Sequence, residues 1–97
     1  MRLSVTEKRE ILFAVRMLDA ESRVFLYGSR VDPKLAGGDI DLLVISEKIG
    51  FSEKISLLVE IKKRIGDQKI DLLVKTSKDA AENTFVQSIK DSAVELT

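Results

Sequence analysis

The pentapeptide Ile40-Asp41-Leu42-Leu43-Val44 recurs unchanged as Ile70-Asp71-Leu72-Leu73-Val74, thirty residues later. Each copy is short and rich in branched apolar side chains, the composition of a strand covered on both faces. Between the copies, Phe51, Ile55, Leu58, Ile61 and Ile65 recur at helical spacing, over a segment running from Phe51 or Ser52 to Ile65. Strand, helix and strand over about thirty residues is the span of a crossover unit whose two strands can run parallel. As neighbours in register, those strands would place Asp41 and Asp71 side by side.

The first copy carries a second acid. Asp39 and Asp41 lie two residues apart on a strand expected from Asp39 to Ser46, so both project from one face. Unpaired carboxylates that close repel each other, and the group Asp39, Asp41 and Asp71 therefore asks for a cation. Upstream, Arg23 to Tyr27 reads as a buried strand that ends in Gly28-Ser29. Gly28 lets the backbone turn or approach a ligand closely; the alternative is an ordinary turn. Pro33 pushes Asp32 out of helical geometry, so a helix begun at Ser29 lasts about one turn, and such a start still points free N–H groups at an anion. Arg30 is placed to reach a phosphate, or else is merely solvated. Gly37-Gly38 reverses the chain into the next strand. A Gly-Ser bend facing three convergent acids reads as a magnesium-dependent nucleotide site.

The remaining elements frame this centre. Ser4 and Glu7 fit a capping box, and Ile11, Val15 and Leu18, with Leu12 and Ala14, mark a helix to about Ala20. Lys8, Arg9, Glu10 and Arg16 form its solvated face. Lys62-Lys63-Arg64 complements the macrodipole at a helix C-terminus, with a nucleic-acid patch as the alternative. Lys69 to Lys75 is the next strand. A helix start follows at Thr76 to Asp79, with an apolar stripe through Ala81, Phe85, Ile89 and Ala93. Val94 to Thr97 either frays or forms a short edge strand. At 97 residues the chain reads as a single domain, 1–97, with one core.

Composition narrows the chemistry. Cysteine and histidine are both absent, which excludes disulfides, thiol and Ser-His nucleophiles, and sites built on thiolate or imidazole ligands. Hard oxygen donors remain, and these favour magnesium or manganese. The 16 basic and 16 acidic side chains cancel, so no global field draws the protein to nucleic acid, and direct nucleic-acid binding is not expected. The first residues lack the apolar run of a signal peptide, no stretch is long enough to span a bilayer, and the expected location is the cytoplasm.

Tyr27-Gly28-Ser29, a nine-residue gap, Asp39-Ile40-Asp41-Leu42, and Asp71 after a crossover together resemble the DNA polymerase beta nucleotidyltransferase superfamily. Among its members the chain is most similar to the minimal nucleotidyltransferases, which include antitoxins paired with HEPN-type toxins. The resemblance spans nearly the whole chain and implies an α/β (α+β) nucleotidyltransferase fold, a small mixed sheet of three or more strands flanked by about three helices. It implies attack of a hydroxyl on the α-phosphorus of a nucleoside triphosphate, with AMP transfer from ATP first in line. Gly28 and Ser29 would hold the β- and γ-phosphates, with Arg30 beside them, and Asp39 and Asp41 would ligate two magnesium ions. Asp71 would complete the site, ligating the ion that activates the acceptor hydroxyl and receiving its proton. The chain departs from the pattern at Val31-Asp32-Pro33, where many relatives carry a small residue and a glycine. Larger relatives add a second domain that grips the acceptor, and 97 residues are expected to leave no room for one, so the expected acceptor is a partner, a small helical HEPN-like or substrate-binding subunit; self-association stays open. The alternatives are a non-catalytic antitoxin acting by occlusion, and transfer to a small molecule or an RNA end.

Overall fold

Acids and glycines gather at one end of a mixed four-stranded sheet in the computed structural model, which describes residues 2–32, 34 and 38–97. The elements in chain order are α1 (Val5–Leu18), β1 (Arg23–Tyr27), a 3-10 turn (Gly28–Val31), β2 (Ile40–Ile45), α2 (Phe51–Ile65), β3 (Ile70–Lys75), α3 (Ser77–Glu82), α4 (Thr84–Ser92) and β4 (Val94–Leu96). Strand order is β3-β2-β1-β4. β2 and β3 are parallel across the α2 crossover, while β1 runs antiparallel to both β2 and β4. Among the described residues, no helix is long and apolar enough to cross a membrane.

Side-chain parity along the strands divides the interior in two. Val24, Leu26, Leu42, Val44 and Leu72 face α1 and α2, where Ile11, Val15, Leu57 and Ile61 complete the larger core. Phe25, Leu43 and Ile45 point the other way, against Val86 of α4 and the partly buried Ile89 and Ala93. β2 is accordingly buried along its length except at Asp41, as its near-continuous apolar run requires.

Several boundaries and faces differ from the sequence expectations. α1 stops at Leu18 rather than near Ala20, because Asp19 leaves helical geometry and turns inward. Its carboxylate accepts hydrogen bonds from the Ser46 hydroxyl at 2.5 Å and from the Glu21 N–H at 3.0 Å, and is buried by them. The Ser46 bond, more than any other contact, holds the Asp19 carboxyl below the usual range.

The expected C-terminal helix is two helices. Thr76 caps α3, and Asn83 leaves helical geometry to accept bonds from the Phe85 and Val86 N–H groups, restarting the chain as α4. The restart rotates the stripe, so Val86 is buried and Phe85 is 64% exposed. Along α2, Leu57 and Ile61 face the core, with Leu58 and Ile65 partly buried, whereas Phe51 and Ile55 are exposed and align with exposed Val59. Residues 94–96 form an edge strand, pairing Leu96 with Val24.

Leu42→Ala is expected to cost about 2–5 kcal/mol by opening a cavity in the middle of β2. Phe85→Ala should change stability by less than about 0.5 kcal/mol. Urea unfolding followed by circular dichroism separates the two, and a comparable loss in both would mean that Phe85 is part of the core.

Candidate functional site

The parallel register of β2 and β3 pairs Asp41 with Asp71, and the antiparallel register of β1 pairs Asp41 with Tyr27. Neighbouring strands lie about 4.8 Å apart, and directly paired residues share a face, so Tyr27, Asp41 and Asp71 form one row across three strands. That row lies on the Phe25–Leu43 side of the sheet, where Tyr27 and Leu73 border the smaller core. Asp39 stands just ahead of β2.

The electrostatics follow from this crowding. Burial pushes the Asp41 carboxyl above its ordinary range, and the negative charges of Asp71 and then Asp39 push it further. Burial likewise raises the Tyr27 phenol, with the charges of Asp71 and Asp41 adding to it. Asp41 has no ion-pair partner among the described residues, whereas the Asp39 carboxylate meets Lys69 Nζ at 3.6 Å in an exposed and therefore weak pair.

The Gly-Ser bend is fitted to these acids. Gly28 has φ +76°, and a Cβ at this position would collide with the Asp41 carboxylate. Glycine is thus required both for the backbone conformation and for the approach of the acid. Gly38, with φ +94°, packs against the Ser29 hydroxyl in the same way. The bend itself is a single 3-10 turn, consistent with the limit of about one turn; Pro33 and Gly37 lie outside the described residues.

Arg30 spends three of its five N–H donors on the protein. Its guanidinium donates to the carbonyl oxygens of Arg2 at 2.8 Å and Gly38 at 3.3 Å, and to Gln68 Oε1 at 3.4 Å. Arg2 reciprocates: its backbone N–H donates to the Arg30 carbonyl at 2.7 Å, and its side chain donates to the carbonyls of Ser29 and Asp32. Gln68 in turn donates to Glu7, whose carboxyl is held low chiefly by that bond. Arg30 therefore ties the residues after β1, before β2 and before β3 into one unit. The sequence pointed to neither Arg2 nor Gln68, and to Tyr27 only as the residue ahead of Gly28-Ser29, not as a neighbour of the acids. The phase of Tyr27, set by a hairpin pairing opposite Asp41, was the available signal for the last; the other two make long-range bonds that no local pattern encodes.

The donors suit a hard divalent cation, since Asp41 and Asp71 offer adjacent carboxylate oxygens and Asp41 lacks a compensating charge. Among the described residues, however, no group of three or more acids stands assembled to hold a metal ion. No family profile and no curated protein matches this chain.

Because the folded state raises the Asp41 pKa, Asp41 contributes stability that is fully present below its unfolded pKa and lost as pH rises through the folded value. Once ionised, above that value, it is a net cost. Asp41→Asn should therefore raise Tm at pH 7, and its advantage over the parent should vanish in acid; differential scanning calorimetry across pH checks both. Gly28→Ala should cost more than about 1 kcal/mol, since it combines a strained φ with the carboxylate collision.

Proposed function

We propose that this chain is a magnesium-dependent nucleotidyltransferase that moves a nucleotidyl group, most readily AMP from ATP, onto a hydroxyl of a partner protein, in the manner of an antitoxin that modifies its cognate toxin. The observation that carries this is the pairing of Asp41 with Asp71 on parallel neighbours, beside a glycine turn shaped around the Asp41 carboxylate. The resemblance in Gly28-Ser29, Asp39-x-Asp41 and Asp71 supports the same class, and the absence of histidine and cysteine is compatible with it, because phosphoryl chemistry depends chiefly on positioning and charge neutralisation.

In this reading Asp39, Asp41 and Asp71 would hold the magnesium ions, Asp39 in place of its exposed pair with Lys69. Two such ions, when bound, neutralise charge on the triphosphate and on the attacking and leaving oxygens. Gly28 and Ser29 receive the β- and γ-phosphates through backbone N–H groups and the Ser29 hydroxyl. Asp71, at the edge of the row, takes the proton of the acceptor hydroxyl as its oxygen attacks the α-phosphorus and pyrophosphate leaves. Arg30 acts as a positioning residue: its bonds to Gly38 and Gln68 hold the turn against the strand ends. The acceptor comes from a small helical subunit of the HEPN-like or substrate-binding kind, and the complex works in the cytoplasm.

The lack of an assembled three-acid group among the described residues and the Lys69–Asp39 pair favour one second reading, a non-catalytic antitoxin that blocks its partner by occlusion. Incubation with α-labelled ATP, magnesium and the protein encoded beside this chain distinguishes the two. Label transfer is expected, with its loss in Asp41→Asn and in the absence of magnesium. Tight partner binding without transfer, and neutralisation that survives Asp39→Ala and Asp41→Ala, would leave occlusion in its place.

A further inference from the structure

The outer face of α1 bears a groove of about 570 Å³, against about 190 Å³ for a smaller depression near Asp19 and Ser46. Leu12 forms its floor, and Val5, Phe13 and Met17 supply apolar walls; Phe13 is 54% exposed and Met17 is 64% exposed. Thr97 closes one side; the charged side chains of the lining, Lys8, Arg9 and Arg16, are all cations, and none forms an ion pair among the described residues. In a chain whose charges cancel overall, an apolar trough bordered on one helix by three unpaired cations is a local imbalance of sign.

The walls are held in place from behind. Arg64 of α2 stacks over the Phe13 ring at 4.6 Å and bonds Met17 Sδ at 3.8 Å, while Glu10 and Glu60 fix its guanidinium at 3.2 and 2.8 Å. Met17, an unbranched side chain with three rotatable bonds, is thereby steadied beside the Phe13 ring before anything binds, which lowers the cost of association. The groove follows α1 from Val5 to Met17, about 18 Å or three turns at 1.5 Å per residue, the length of a short helix laid alongside.

We propose that this groove docks an acidic amphipathic helix of a partner protein, with apolar anchors between Phe13 and Met17 and carboxylates against Lys8, Arg9 and Arg16. The proposal stands apart from the nucleotidyl-transfer reading, since α1 lies on the opposite side of the sheet from the Tyr27–Asp41–Asp71 row. A symmetric contact between two copies would bring Lys8, Arg9 and Arg16 onto themselves and is disfavoured by charge. A concave trough also suits inserted side chains better than a lipid surface.

The probe is a fluorescent helical peptide of about 14 residues, with leucine at i, i+4 and i+7 and glutamate on the flanking positions; its counterpart carries lysine in place of glutamate. Anisotropy titration of the intact protein should show binding of the acidic peptide, weakened about tenfold or more by the double change Arg9→Glu with Arg16→Glu and by Phe13→Ser, with unaltered circular dichroism. The lysine peptide should bind the double variant better than the parent. Equal binding of both peptides, no binding of either, or full retention of affinity in the variants overturns the proposal. Recruitment to phosphatidylserine vesicles or a Phe13-dependent homodimer in sedimentation, in place of peptide binding, overturns it as well.

Discussion

Parallel pairing of β2 with β3 places like charges next to each other, and much of the polar architecture is arranged around that conflict. Two identical pentapeptides in register put Asp41 and Asp71 side by side at one sheet end. A one-residue slip would turn every apolar side chain of β3 to the wrong face, so the two hydrophobic layers enforce the juxtaposition. Stability of the core is what keeps the acids together.

The surroundings of the acids are built rather than incidental. Glycine at 28 yields room that any side chain would fill, and Arg30 binds together the approaches to three strands. An arginine beside a bend invites the expectation of a phosphate contact, but here three of its donors are directed to backbone and amide oxygens of the same molecule. These three bonds stiffen the bend and leave two of the five guanidinium N–H donors for a ligand.

The strand and crossover pattern was legible because it rests on local periodicity and on an exact repeat. β1, α2 and β2 with β3 appear where their apolar runs lie, and the same-face placement of Asp41 with Asp71 follows from register. Two kinds of feature were not. The outward stripe of α2 and the rotated face of α4 depend on which side of an apolar-rich helix meets the sheet; Phe51, Ile55 and Phe85 satisfy helical spacing as well as Leu57 and Val86 do. The early end of α1 and the clamp of Arg2, Arg30 and Gln68 depend on partners 27 to 38 residues away, beyond any local window.

Reciprocal bonding between Arg2 and Arg30 has a practical consequence. Arg2 is thereby anchored to the bend that faces Asp41, while Thr97 borders the α1 trough. A handle or label attached at Arg2 or at Thr97 thus sits beside a surface of interest.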